Sequence, residues 1–326
     1  MISVVMATYN GEKFIKEQLY SIKNQELQAD EVIIRDDCSE DKTAEIVKSF
    51  IANNNLKKWN FEVNSSNKGF KKNFYDLLKL VNGDIIFLSD QDDVWMANKI
   101  STMSKKIQEN PQIETLNCGI KLVDQNLNAV EIKPRKNFYN ANLLYSENTL
   151  QNLNFFGLEN MIKRNISPGC SMCITRKIKE QFLKTYNFVV AHDWYMNLLA
   201  SLNNNCCFLN EQLIDYRIHQ ENTLGLATAW SVRSKLVSFN ADNQVKLREF
   251  RELSITFKNI VENYAINDSQ GLQIQNYLNV RISFLMNPKL RTLLKLRKFS
   301  EYFNSTTIRG RIWDIVIIFH IEKLLS

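Results

Sequence analysis

Through the first hundred positions, short β-branched runs alternate with longer stretches whose apolar residues recur every three or four positions. That alternation marks β-α-β units and a mainly parallel sheet. "ISVVMA" predicts a strand, residues 12–25 a helix, "EVIIRD" a second strand and residues 41–53 a second helix. A short strand near "FEV", a helix over 70–81 and the strand "DIIFLS" complete the series. From 111 to 140 the pattern loosens, and "LNCGIKLVDQNLNAVEI" reads as two strands joined by an Asp/Asn-rich turn. "CSMCIT" follows as a strand, then a helix, then "HDWYMNLLASL" as a helix, with "CCFLN" and "LIDYRI" as two late strands. After about residue 226 Gly and Pro nearly vanish and helical periods run to the C-terminus, broken at Pro288. These patterns predict an α/β domain over residues 1–225 and a helical domain over 226–326.

Composition narrows the partners more than the fold. The 326 residues are 44% hydrophobic and 23% charged, enough for a large core of ordinary globular kind. A net charge of +6 suits phosphates or an anionic membrane surface but is modest for a nucleic-acid binder of this length, so no nucleic-acid partner is expected. The N-terminal stretch lacks the basic leader and cleavage site of a secretory signal, and no window reaches about 18 uninterrupted apolar residues, so a cytoplasmic location is expected. The six cysteines are then expected to be packed free thiols. Cys170 and Cys173 form a C-x-x-C without a second pair at zinc-ribbon spacing, and Cys206 and Cys207 are adjacent.

The candidate chemistry collects at the ends of predicted strands, where open α/β sheets bind ligands. In "FLSDQDDVW", Asp90, Asp92 and Asp93 put three carboxylates into four positions. Two carboxylates about 4 Å apart repel by roughly 4 kcal/mol at an effective dielectric near 20, so the turn calls for a positive partner. Mg²⁺ or Mn²⁺, held by one or two carboxylates plus substrate phosphates, fits that need. The plainer reading is a solvated turn in which Asp93 caps a helix starting near Trp95. Asp36 and Asp37 end the second strand, and Thr8, Tyr9 and Asn10 end the first. They suit either helix capping or a nucleotide, whose imide or ribose a carboxylate can accept and whose base an aromatic ring can stack on. Asn67 and Gly69, in "NKGFKKN", form a loop entering a helix, either a simple turn or a place where backbone approaches a ligand. His192 and Asp193 open a predicted helix, as an N-cap or as a general base, and Arg217 and His219 end the last strand.

Taken in order, "SVVMATYNG", "EVIIRDDCSEDKT", "NKGFKKN", "FLSDQDDVW", "SPGCSMC", "AHDWYMNLLA" and "YRIHQENTLG" resemble the family 2 inverting glycosyltransferases. Within them they resemble rhamnosyltransferase-like enzymes of bacterial cell-surface polysaccharide assembly. The resemblance spans roughly residues 1–225 and implies a GT-A fold, a nucleotide-diphosphate sugar donor, a glycan or polyprenyl-linked oligosaccharide acceptor and Mn²⁺ or Mg²⁺. It implies that Asp37 reads the base with Thr8 and Tyr9 beside the nucleotide. Of the D-x-D region it implies that Asp92 binds the metal and another carboxylate, Asp90 or Asp93, holds ribose or the ion. Gly169 falls near the donor sugar, Asp193 on the catalytic base, and His219 on a late histidine for metal or diphosphate. Trp95 and Trp194 are expected to shape the sugar pocket, with His192, Arg217, Asn67 and Gly69 on the donor side. The chain lacks the Q-x-x-R-W of processive relatives, so one sugar per encounter is expected.

Beyond these motifs, Lys289, Arg291, Lys295, Arg297 and Lys298 lie among leucines, and "IWDIVIIFHIEKLL" is apolar but too short to span a bilayer. Such a region packs on the catalytic domain, forms a homo-oligomer, or rests as a peripheral foot on the inner membrane face. In the last case each cation contributes about 1 kcal/mol near an anionic surface. Rival readings are a donor of UDP-galactose or UDP-glucose, a catalytically silent sugar-nucleotide-binding subunit, and a nucleotidylyltransferase. The last lacks its Gly-rich, Arg-containing loop here, because "TYNGEKF" follows the first strand.

Overall fold

The computed structural model describes residues 1–130, 150–162, 165–219, 239–264, 269–306 and 308–319. The chain divides into two compact units, Met1–Gly225 and Leu226–Ser326.

The first unit is built on strands β1 (Ile2–Thr8), β2 (Glu31–Asp36), β3 (Trp59–Val63), β4 (Ile85–Ser89), β5 (Val94–Trp95), β6 (Thr115–Val123), β7 (Leu153–Phe156), β8 (Met172–Thr175) and β9 (Cys206–Arg217). Its helices are α1 (Ile15–Lys23), α2 (Thr43–Asn53), α3 (Phe70–Leu80), α4 (Lys99–Glu109), α5 (Leu158–Met161), α6 (Arg176–Thr185) and α7 (His192–Ser201). The sheet runs β3-β2-β1-β4-β8-β6-β9-β5, with β7 paired to β9. Strands β3, β2, β1 and β4 are parallel, whereas β8 enters antiparallel to both β4 and β6. Val4, Val5 and Met6 of β1 are fully buried because helices cover both faces, as an apolar run without alternation requires. In α1, Ile15, Leu19 and Ile22 recur at helical spacing and are buried, as are Phe74, Leu77 and Leu78 of α3.

Strand order reverses between β1 and β4, so the loops after Thr8, Asp36 and Ser89 open on one edge. The antiparallel β8 brings its starting end, the short 3₁₀ turn Gly169–Ser171, to that same edge.

Three expected elements differ. "CCFLN" and "LIDYRI" are one continuous strand, because the polar Asn210–Gln212 segment passes a bulge beside Gly119 instead of turning. A Cβ on Gly119 would lie 2.9 Å from the Glu211 carbonyl oxygen, so only glycine admits the bulge. The second strand expected after the Asp124–Asn128 turn is, over the described residues, a single bridge between Val123 and Ala129, and residues 131–149 lie outside the described ones. No helix starts at Trp95: Val94 and Trp95 pair with Asp215 and Ile214, and α4 begins at Lys99. Asp93 therefore caps no helix.

The second unit contains α8 (Phe239–Tyr264), α9 (Ser269–Met286), α10 (Leu290–Leu296), α11 (Ser300–Ser305) and α12 (Ile308–Ile318), with the break between α9 and α10 at Pro288. Its core includes Phe257, Ile260, Tyr277, Leu278 and Phe284, with a buried Arg281–Asp314 ion pair at 2.7 Å that also receives the Tyr302 hydroxyl at 2.9 Å. Among the described residues no helix is long and apolar enough to cross a membrane.

Candidate active site

Two carboxylates at the end of β2 lock the loops beside it. Asp36 is fully buried and accepts from the Thr8 hydroxyl at 2.7 Å and from the Ser39 amide and hydroxyl at 2.8 and 2.6 Å. Asp37 accepts from the Asn64 amide group at 2.8 Å and from the backbone of Lys68 and Gly69 at 2.9 and 2.7 Å. Gly69 adopts φ +77° with open space where a side chain would be, and Asn67 accepts from its amide at 3.0 Å. Tyr9 stays half exposed with its backbone clamped on both sides by Gln91, which accepts at 2.8 Å and donates at 2.7 Å. Thr8 thus serves as a support through Asp36 and the buried Asp37 tethers the Asn67–Gly69 loop, while Tyr9, Asn67 and Gly69 are exposed.

The acidic turn after β4 splits into an inner and an outer part. Outside, the Asp92 Oδ2 and His219 Nε2 atoms are 2.8 Å apart, both partly accessible, with the His219 ring against Phe14 at 5.0 Å. Inside, Asp93 is 1% exposed and accepts from the Arg217 amide at 3.2 Å. Its other oxygen has only the Cys170 thiol beside it. Burial and the neighbouring charges of Asp92 and Asp90 push the Asp93 carboxyl well up. Asp90 is pushed up to about 7 by burial, then by Asp92 and Asp193, while Lys99 works the other way.

Lys99 is a buried cation near Asp90 that favours its ionised form, and sequence reading missed it. It is wholly buried at the first position of α4, donates to the Cys170 carbonyl at 2.6 Å and lies 4.1 Å above the Trp95 ring. A cation at a helix N-terminus is disfavoured by the macrodipole, so the acids compensate for its placement. Only the fold could reveal this, since K-x-x at the start of a helix is ordinary surface composition.

Asp90, Asp93 and Cys170 could in principle gather around an ion, their ligand atoms lying within 4.8 Å of one another. That inner group is closed off, however, with Asp93 and Cys170 buried and Lys99 donating to the Cys170 carbonyl. The outer pair fits a divalent cation better: one carboxylate oxygen and one imidazole nitrogen converge at the partly accessible face, a donor set that suits Mn²⁺. Asp93, expected at the metal, turns inward because its neighbour Val94 joins the sheet beside β9, and there it belongs to the inner group with Asp90 and Cys170. Trp95 and Arg217, expected against the donor, are 3% and 1% exposed and act as supports. The Arg217 guanidinium donates to the carbonyls of Asp92 at 2.7 Å and Gln125 at 2.6 Å and pairs with Glu17.

The third wall is the start of α7. Asp193 is 7% exposed and its carboxyl is pushed up to about 6 by burial, against the opposing amides of Trp194, Asp193 and Gly169 and the Asn165 side chain. Asn165 donates to Asp193 Oδ2 at 2.8 Å and to the Ser167 carbonyl at 2.8 Å. Asn165 in turn accepts from Asn197 at 2.8 Å, and Asn197 accepts from Asn117 at 3.0 Å. This line of amides fixes which face of Asn165 meets the carboxylate, so Asp193 is held in one orientation. None of the three asparagines stood out in an Asn-rich sequence. Gly169 packs beside Asp193, and a Cβ there would lie 3.2 Å from His192 Nε2 and 3.3 Å from the Asp193 Cβ. Trp194 donates its indole N–H to the Met161 carbonyl at 2.8 Å, which anchors the first turn of α7.

The family described as Glycosyl transferase family 2 matches residues 3–179. The dTDP-rhamnosyl transferase RfbG of Shigella flexneri is 30% identical over 246 residues, covering 71% of this chain and 77% of that protein. Among solved structures, S. aureus TarS 1-349 in complex with UDP-GlcNAc superposes with a TM-score of 0.53 at 18% identity, over 93% of this chain and 89% of that one. The mannosyltransferase PcManGT from Pyrobaculum calidifontis, in complex with GDP-Man and Mn²⁺, does so with a TM-score of 0.53 at 15% identity, over 99% and 79%. These structural likenesses carry the fold, which is GT-A.

Proposed function

Because the chain belongs to glycosyl transferase family 2 and is a glycosyltransferase, we propose that it moves one sugar, with inversion, from a nucleotide-diphosphate donor to a hydroxyl of a glycan or lipid-linked oligosaccharide in surface-polysaccharide synthesis. The observation that carries this reading is Asp193, a buried and amide-oriented carboxylate beside Gly169, at the sheet edge that also holds the Asp92–His219 pair. Asp37 and the Asn67–Gly69 loop receive the nucleoside, with Tyr9 available to stack on the base. Asp193 takes the proton from the acceptor hydroxyl, whose oxygen attacks the anomeric carbon from the face opposite the diphosphate. The anomeric configuration inverts in that single displacement.

Asp92 and His219 would hold a divalent cation, Mn²⁺ or Mg²⁺, whose chemistry is to neutralise charge gathering on the departing diphosphate. Similarity to the Shigella flexneri protein favours dTDP-L-rhamnose as donor, with UDP-galactose or UDP-glucose as the alternatives. The oriented base argues against a silent binding subunit, which would have no need to hold a carboxylate near 6 at a cost in stability. A thermal-shift panel of sugar nucleotides, each with Mn²⁺, Mg²⁺ or chelator, tests the reading. A metal-dependent shift with one donor supports it, and no shift with any donor refutes it.

A peripheral place on the cytoplasmic membrane face forms part of the same reading. Between Lys289 and Lys298 the second unit exposes five cations together with Leu290 and Leu294, each 53% exposed. No acid occurs from Ser269 to Ser300. Helix α12 buries Asp314 and Ile317 while exposing Ile308, Ile312 and Ile315 at helical spacing. Apolar and basic groups on one unit suit an anionic lipid surface, where a lipid-linked acceptor would reside.

A further inference from the structure

Among the described residues, His192 alone leaves two buried polar atoms unpaired, where several other side chains leave one. Its ring is 5% exposed, stacked on Phe74 at 4.0 Å and 21° and edge-on to Phe70 at 6.1 Å. Both ring nitrogens are buried without a hydrogen-bond partner among the described residues. Nearly every buried polar atom in a folded protein is paired, so a ring with two orphaned nitrogens inside an active-site wall points to a group that arrives with the substrate. Burial, with the Lys71 charge adding, holds the imidazole neutral, its pKa lowered to about 3. One nitrogen then donates and the other accepts, the pairing that a hydroxyl, itself donor and acceptor, can satisfy.

The location narrows which hydroxyl. A Cβ on Gly169 would meet Nε2 at 3.2 Å and the Asp193 Cβ at 3.3 Å, so the glycine lets the chain pass close to the ring beside Asp193. The opposite face of the ring rests on α3, whose leading loop is tethered by Asp37 on the nucleotide side. The Asp193 carboxylate is held by Asn165, not by His192. We propose that His192 is a specificity-determining residue that hydrogen-bonds a hydroxyl of the transferred sugar beside Gly169. Its unpaired state in the free protein is the cost of reading that sugar. This deepens the proposed function and rests on its donor assignment.

The test compares full-length wild type, His192→Phe and His192→Gln, each with Mn²⁺. Calorimetry measures affinity for dTDP against dTDP-L-rhamnose and for UDP against UDP-glucose, so that the gain due to the sugar is isolated. His192→Phe keeps the ring on Phe74 and should leave nucleoside-diphosphate affinity unchanged while weakening the sugar gain roughly tenfold. His192→Gln, which restores an amide, should recover most of it. The free His192→Phe protein should melt no lower than wild type, because it loses an unsatisfied buried group; a merely structural histidine would melt lower on replacement. An unchanged sugar gain in His192→Phe, a loss of nucleoside-diphosphate affinity along with a lower melting temperature, or an effect confined to the KM of the acceptor overturns the inference. Wild type that binds no nucleoside diphosphate at all would instead overturn the donor assignment, and the inference with it.

Discussion

Replacing Asn165 with leucine should move the pH dependence of sugar transfer without changing its maximum. Asn165 donates at 2.8 Å to a carboxyl already lifted from the ordinary 3.8 to about 6, burial being the largest cause and Asn165 one of several groups that hold the value down. A hydrogen bond to a charged group contributes about 1.5–3 kcal/mol, or about one to two pKa units at 1.36 kcal/mol each. Three backbone amides share the work, so the lower end applies and Asp193 should rise to about 7. A base acts only when ionised, so a higher pKa shifts the acid limb of the profile to higher pH. At pH 6 the ionised fraction falls from about one half to about one tenth, a roughly fivefold loss in kcat, whereas at pH 8 the change is under about twofold. The assay is nucleoside-diphosphate release coupled to transfer, followed from pH 5 to 9.5 with saturating donor. A uniform loss at every pH, or an acid limb that stays put or moves down, would refute the role given to the Asn117–Asn197–Asn165 line.

Four further outcomes follow from the same geometry. Asp193→Asn should keep donor binding and abolish transfer; because the folded carboxyl lies about two units above 3.8, ionising it lowers stability as pH rises to about 6, so the variant should gain about 3 kcal/mol at pH 8 and nothing below pH 3, read by urea denaturation. Transfer at the native rate would refute the base assignment. Asp92→Ala and His219→Ala should each weaken Mn²⁺-dependent donor binding while leaving chelator-insensitive nucleotide binding alone, measured by calorimetry with and without metal. Lys99→Met removes a buried cation near Asp90 and should lower stability more at pH 8 than at pH 6, where Asp90 already carries its proton; equal losses at both, read by urea denaturation, would show that the lysine only packs. Leu290→Ser combined with Leu294→Ser should cut binding to vesicles containing anionic lipid at unchanged melting temperature, and undiminished binding would sink the membrane foot.

Local pattern alone specified much of this protein. Unbroken apolar runs such as Val4–Met6 can be satisfied only between two layers of helix, and the helical spacing of Ile15, Leu19 and Ile22 marks the covering layer. The clustering of Asp37, Asp92, Asp193 and His219 at predicted element ends was equally legible, because polar residues beside strand ends need a reason. What stayed hidden depends on partners far along the chain. Pairing with β9 drew Val94 and Trp95 into the sheet, which turned Asp93 inward and left Asp92 to face His219. The strand interruption at Asn210–Gln212 is a bulge only because Gly119 lies opposite. Lys99 became a buried cation near the acidic turn, and three asparagines came to orient Asp193, through contacts spanning 28 to 80 residues. Such assignments are decided by burial: desolvation turns an ordinary lysine, asparagine or histidine into a group whose partner matters, and desolvation is a property of the assembled fold.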